Sequence, residues 1–308
     1  LCFGGSYSSW EVEDVKKVYR LLPIFGSFII YWIVYAQMNT SMIYQGENMD
    51  IKINGLSIPV ASLSLLDTLG VLVLIPIMDK LVYPLLAKFE IRPSQLQRIG
   101  FGMIIATASM VCAGGLELYR VKQCCMYQHR PSESNENGTE VANITIFYQV
   151  PQYTLIGLSE VFTIVTGLEL AYTDAPKSLQ GVIMGVFQLA GGVGNFAGAA
   201  LVAIVNAITE AVNGKEGRWF PDQNDINNKS PHLAYYFFLL AVLMFLNFIV
   251  FIFVVAVSFK EKKESASRTN VNKGVMNNRE PPELAREKEQ DDGDAILGQS
   301  AGNNAALS

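Results

Sequence analysis

Val150–Pro176 reads VPQYTLIGLSEVFTIVTGLELAYTDAP. The run is long and apolar enough to cross a bilayer, which takes roughly 20 residues as a helix. It nevertheless carries two carboxylates, Glu160 and Glu169, and Glu160 lies near its middle. A carboxylate at that depth is costly unless it faces protein or water, so it marks a functional position. Burial disfavours its ionised form, so such an acid can take up and pass on a proton at physiological pH. Glu169 is nine residues further on. At about 100° per residue that puts it on roughly the opposite side of the helix.

The rest of the chain fits this setting. Of 308 residues half are apolar and 17% are charged, against about 25% charged in an average soluble protein. The net charge of −5 is small, and the charges crowd between the apolar runs and in the last fifty residues, so it marks neither an acidic fold nor a nucleic-acid binder. Apolar runs predict six spans: Leu21–Tyr44, Ile58–Val82, Ile99–Leu118, Ile146–Tyr172, Leu179–Ile208 and Leu233–Phe259. The expected fold class is an all-α membrane protein of six transmembrane helices. Residues 1–20 read as a linker with an amphipathic helix, on which Val12, Val15, Val18, Tyr19 and Leu22 recur at helical spacing. Residues 21–259 make the bundle, and 260–308 a charged, Asn-rich tail expected to lack structure.

Lys16, Lys17 and Arg20 flank the first span, Lys80, Lys88, Arg92 and Arg98 the loop after the second, and Lys260, Lys262 and Lys263 the last. The positive-inside rule therefore places both ends in the cytoplasm. Asn137-Gly-Thr and Asn143-Ile-Thr are glycosylation sequons in the longest outer loop, with Asn228-Lys-Ser in the next. Cys124 and Cys125 are adjacent in the same outer loop and suggest no disulfide framework. The two histidines, His129 and His232, fall in loops. With no nucleophile elbow, phosphate loop or metal-ligand spacing, the sequence argues against an enzyme and calls for no cofactor or metal.

Several span residues stand out. Trp32 and Tyr35 share a face near the middle of the first span, and Gln37 there needs a hydrogen-bond partner. Asp67 lies about a third of the way into the second span with no basic neighbour, and Pro76 is expected to kink that helix. The third span says least, with Glu117 at its outer edge. Gly181 and Gly185, then Gly194 and Gly198, are spaced for close helix approach in the fifth. Phe187, Gln188 and Asn195 on the same helix are candidates to line a cavity. In the tail, Asp292-Gly-Asp-Ala-Ile-Leu297 has the form of an acidic dileucine-type sorting signal.

Gln152-Tyr-x-Leu-Ile-Gly-x-x-Glu160-Val-Phe, with Thr166-Gly-Leu-Glu-x-Ala-Tyr172-x-x-Ala-Pro176, closely resembles the tenth span of proton-dependent oligopeptide transporters. Tyr31-Trp-x-x-Tyr-x-Gln37 resembles their seventh span, and Pro76-x-x-Asp79-x-x-x-Tyr83-Pro their eighth. The likeness covers about residues 11–260, and Asp67 points toward the peptide/histidine transporter branch. It implies the carboxy-terminal half of a major-facilitator fold. Leu1, where a whole protein would start with Met, adds the expectation of a preceding six-helix half.

The resemblance also implies roles. Glu160 matches the carboxylate that meets a peptide amino terminus and joins in proton coupling. Trp32, Tyr35 and Gln37 match central-cavity positions, Phe187 falls where the family often has a cavity Trp, and Asp67 where peptide carriers have Asn. Ala36 stands where several members carry an acid, so that proton site is missing. The family's E-x-x-E-R motif belongs to the half that would precede Leu1. The function implied is proton-coupled symport of histidine and di- or tripeptides, with small peptides, histidine, protons and the lipid bilayer as partners and no nucleic acid. The tail motif favours a lysosomal or endosomal membrane over the plasma membrane. The alternatives are a carrier of another small solute such as nitrate, and a membrane signalling scaffold.

Overall fold

A computed structural model describes residues 8–53, 56–90, 93–126, 142–214, 217–220 and 232–277. Among these, six helical stretches are long and apolar enough to span a membrane: Val12–Glu47, Val60–Lys88, Gln95–Gln123, Ile146–Thr173, Gln180–Asn213 and His232–Ala256. They coincide with the six runs read from the sequence. Asn137, Asn228, His129 and the dileucine-type motif lie outside the described residues, as does the side chain of Asn143.

The chain divides into two compact units, Leu1–Val255 and Ala256–Ser308. In the first, helix α1 (Ser9–Tyr35) continues without interruption from the linker into the first span, with Pro23 inside it. The expected amphipathic helix is therefore not a separate element. Val12, Val15, Tyr19 and Leu22 are exposed, and only Val18 packs on the core. After Tyr35 the span breaks. Ala36–Asn39 tightens to a 3-10 turn and α2 (Ser41–Glu47) resumes. The cause is local: Gln37 donates to the Ile33 carbonyl, Thr40 to Ala36 and Ser41 to the Gln37 side chain. Such short-range side-chain bonds compete with the helical ladder.

The second span begins with a 3-10 turn at Val60–Leu63 and continues as α3 (Ser64–Ile77). A π-helical turn over Met78–Val82 follows Pro76, and α4 (Tyr83–Lys88) completes it. The irregularity falls where the lost proline N–H loosens the ladder. The third span is α5 (Gln95–Met126). The fourth joins α6 (Val150–Glu160), a second π-helical turn (Val161–Val165) and α7 (Thr166–Thr173). Helix α8 (Gln180–Asn213) forms the fifth span and ends on Gly214, whose φ of 74° suits glycine. Helix α9 (His232–Asn277) extends beyond Phe259. That corrects the expected structureless tail over 260–277, where Lys and Glu, both good helix formers, carry the helix on.

Two small sheets, too short to be read from periodicity, lie in the loops. Strand β1 (Met49–Asp50) pairs in parallel with β4 (Ala142–Thr145), and β2 (Lys52–Ile53) pairs antiparallel with β3 (Leu56–Ser57).

Helices α1 and α8 touch through glycine. A Cβ at Gly194 would stand 2.4 Å from Trp32 Cβ and 2.8 Å from the Ile29 carbonyl. Gly198 meets Ile33 at ordinary contact distance. The other expected pair, Gly181 and Gly185, faces open space among the described residues, so it does not mediate close packing. Gly194→Ala is thus expected to destabilise by about 1–3 kcal/mol through overpacking. Gly185→Ala should be neutral or stabilise by up to about 1 kcal/mol through helix propensity. Thermal unfolding of both variants in detergent checks this, and equal effects would overturn the assignment.

The most polar part of the core joins three spans. Glu117 and Arg120 form a buried pair, with Arg120 Nε 2.9 Å and Nη2 2.5 Å from the carboxylate. Gln45 on α2 donates to Glu117 at 3.0 Å, and Gln149 and Gln152 donate to Gln45 at 3.2 and 3.0 Å. Glu117, expected at the outer edge of its span, is fully buried.

Candidate functional site

Glu160 closes α6, immediately before the π-helical turn. Its side chain is half-buried and points toward α1, where the Tyr35 hydroxyl donates to Oε2 at 3.0 Å. One residue earlier, Ser159 shares a 2.7 Å hydrogen bond with the Tyr31 hydroxyl. The Tyr31 and Tyr35 rings stack at 6.4 Å, and Trp32 meets Tyr35 edge-on at 5.3 Å. Trp32 in turn lies on Gly191 and Gly194 of α8. The broken first span therefore presents an aromatic wall next to a mid-span acid, the kind of place where transporter helices become discontinuous around a ligand.

Asp67 arrives from α3. It is 4% exposed and packs against α6 one turn before Glu160, so the two carboxyl groups are neighbours. Its Oδ1 sits against Gly157 of α6, where a Cβ would approach to 2.5 Å. A side chain at 157 would separate the two helices at this point. Three of the six sequence-nominated residues, Tyr35, Asp67 and Glu160, thus converge, with Trp32 alongside. Glu169 faces elsewhere: it is exposed and pairs with Arg98 at 3.4 Å and Gln95 at 2.9 Å.

Two nominated residues do not join them. Phe187 is 1% exposed and packs edge-on against Phe25 at 5.7 Å and Phe28 at 5.1 Å. It is a core residue, not a cavity wall, because Gly167 lets those rings close over it. Gln37 is buried and its hydrogen bonds are used within its own broken turn. Of the cavity candidates on α8, Gln188 is exposed, and Asn195 donates to the Gly191 carbonyl of its own helix.

Tyr31 and Ser159 were not singled out individually in the sequence, although both lie in its motifs. The run of Gln37, Asn39, Thr40 and Ser41 in an apolar span was the available signal for the helix break. Among the described residues, no three of His, Cys, Asp and Glu gather into a metal-binding group.

The arrangement is a mid-bilayer acid cluster walled by aromatics, on a fold of six spans. A family model described as the POT family, PTR2, matches residues 5–220.

The chain belongs to the POT family.

Its relatives in that family include Protein NRT1/PTR FAMILY 8.1 of Arabidopsis thaliana. That protein is 37% identical over 257 residues, covering 82% of this chain and 43% of the relative. Solute carrier family 15 member 3 of Mus musculus is 31% identical over 275 residues, 84% of this chain and 46% of the relative. The crystallised POT family transporter PepTSo superposes with a TM-score of 0.63 at 25% identity, over 83% of this chain and 44% of its own. An auto-inhibited POT family peptide transporter gives 0.61 at 25% identity, over 80% and 42%. The POT chain described here spans less than half the length of these proteins, as a six-helix half of the major-facilitator type. Its solved POT neighbours are transporters, in line with the sequence argument against an enzyme.

Proposed function

We propose that this chain supplies the carboxy-terminal half of a proton-coupled symporter of di- and tripeptides and histidine, working with an amino-terminal six-helix half. The observation that carries this reading is the contact of Tyr35, Asp67 and Glu160 inside the bilayer. An anionic cluster of this kind attracts an ammonium or imidazolium group, and its acids can also hold a proton. A nitrate ion would meet two carboxyl groups there, which disfavours that alternative. A scaffold role would not require buried acids at all. The basic flanks favour cytoplasmic ends, with Asn137 and Asn143 on the outer side as glycosylation sites. The tail motif favours an endosomal or lysosomal membrane.

Alternating access rocks two repeats about a midplane site, so residues 1–308 alone in proteoliposomes are expected to give no proton-driven uptake. Co-reconstituted with the amino-terminal half of a POT relative, the chain should accumulate histidine and Ala-Ala under an inward proton gradient, and N-acetyl-Ala-Ala poorly. Accumulation of nitrate but neither amine would reject the proposal.

A further inference from the structure

We infer that Asp67 and Glu160 form one acid pair holding a single proton, and that the pair lets a proton and a substrate ammonium group occupy the site together. The ammonium half of this statement rests on the substrate reading above. The proton half rests on the geometry.

Two ionised carboxylates buried side by side repel each other, so the neighbouring Asp67 and Glu160 are best accommodated with one of them a neutral acid. The surroundings of the two groups decide which. Glu160 accepts from Tyr35 at 3.0 Å and is half-buried, so it is the better place for the negative charge. Asp67 is buried, and its Oδ1 has no partner among the described residues. That oxygen fits into the notch left by the missing side chain of Gly157. A buried oxygen without a partner suits a neutral carboxylic acid far better than an anion. The other titratable groups facing the pair are the phenols of Tyr31, Tyr35 and Tyr153. Among the described residues no lysine, arginine or histidine reaches either carboxyl group.

A single carboxylate has room for a proton or for an ammonium ion, and each expels the other. The pair removes that conflict. Asp67 keeps the proton, and Glu160 offers its charge to the ammonium group. The loaded site then contains one neutral acid, one carboxylate and one cation, and is electrically neutral. A neutral site is the form that costs least at the bilayer midplane. Asp67 is by this account a second proton-coupling residue, placed beneath the one that touches substrate.

The test uses the purified chain co-reconstituted in nanodiscs with the amino-terminal half of a POT relative, so that the substrate site is whole, and the Asp67→Asn difference isolates the pair. Infrared difference spectroscopy of the protonated-carboxyl carbonyl stretch is followed against pH, with and without saturating Ala-Ala. The wild type is expected to titrate in two separated steps with a plateau of about one proton per pair between them. Ala-Ala should leave the plateau band in place. Asp67→Asn should titrate in one step, and at its midpoint Ala-Ala should remove the band. Gly157→Ala, which crowds Asp67 away without deleting either acid, should bring the two wild-type steps together. A wild-type plateau retained in Asp67→Asn would overturn the pair, as would a single wild-type step. Loss of the wild-type plateau band on adding Ala-Ala would overturn co-binding. If Ala-Ala moves the band in neither protein while the two steps depend on Asp67, the substrate reading of the site fails, and co-binding with it, but the shared proton stands.

Discussion

Glu160→Gln should abolish proton-driven accumulation in a POT transporter that contains this chain, while leaving membrane expression unchanged. Glutamine keeps the shape and can still accept from Tyr35, whose hydroxyl lies 3.0 Å from Oε2. It can neither titrate nor provide a counter-charge. Removing one member of a desolvated charge pair costs about 2 kcal/mol or more, so affinity for substrates with a free amino terminus should drop ~30-fold or further. An N-acetylated dipeptide, with no ammonium group to lose, should bind the variant and the wild type alike. Glu169→Gln provides the contrast. Its carboxylate is exposed and meets Arg98 at 3.4 Å, on the other side of the π-helical turn. A contact of that kind contributes well under 1 kcal/mol, so uptake should persist. Full accumulation by Glu160→Gln together with loss in Glu169→Gln would mean that the wrong acid had been chosen.

The largest effect on stability is expected at Glu117. Its carboxylate is fully buried, takes two hydrogen bonds from Arg120 and one from Gln45, and through Gln45 is linked to Gln149 and Gln152. Glu117→Ala leaves the Arg120 charge in place without that carboxylate. Breaking a buried pair from one side costs about 3–5 kcal/mol, so the midpoint of thermal unfolding in detergent should fall well below that of the wild type. Replacing the pair as a unit, Glu117→Leu with Arg120→Met, should recover most of the loss, because an apolar substitute of similar volume avoids desolvating either charge. A double variant as unstable as the single one would show that the pair contributes more than mutual neutralisation.

The spans and their number were legible because each depends on composition and local spacing. Spacing also put Glu160 and Glu169 on different sides of their helix, while the preference for Glu160 came from the family resemblance. The Asp67–Glu160 contact was not legible: the two residues are far apart in the chain, and only the packing of α3 on α6 brings them together. Gly157 is the clearest instance. In the sequence it is a small residue one turn before an acid, and only the fold shows that its absent side chain is where Asp67 sits. Phe187 failed for the opposite reason. An aromatic in a glycine-rich span suits a cavity wall and a core equally well, and the rings of Phe25 and Phe28 that settle the matter come from α1. The break after Tyr35 was written locally in four polar residues, but periodicity over a long apolar run averages such a signal away.

The π-helical turn at Val161–Val165 bears on how chains of this family can be aligned. A turn of this kind accommodates one residue more than the α-helical ladder would. Deleting a single residue between Glu160 and Thr166 would return the segment to regular winding and leave the helix on either side of it facing much as before. Glu160 would keep its place beside Tyr35, and Glu169 its place beside Arg98. A one-residue gap at this place in a comparison of two homologues therefore marks the gain or loss of the wide turn. It is not a change of face, and the residues on both sides of the gap stay equivalent position for position.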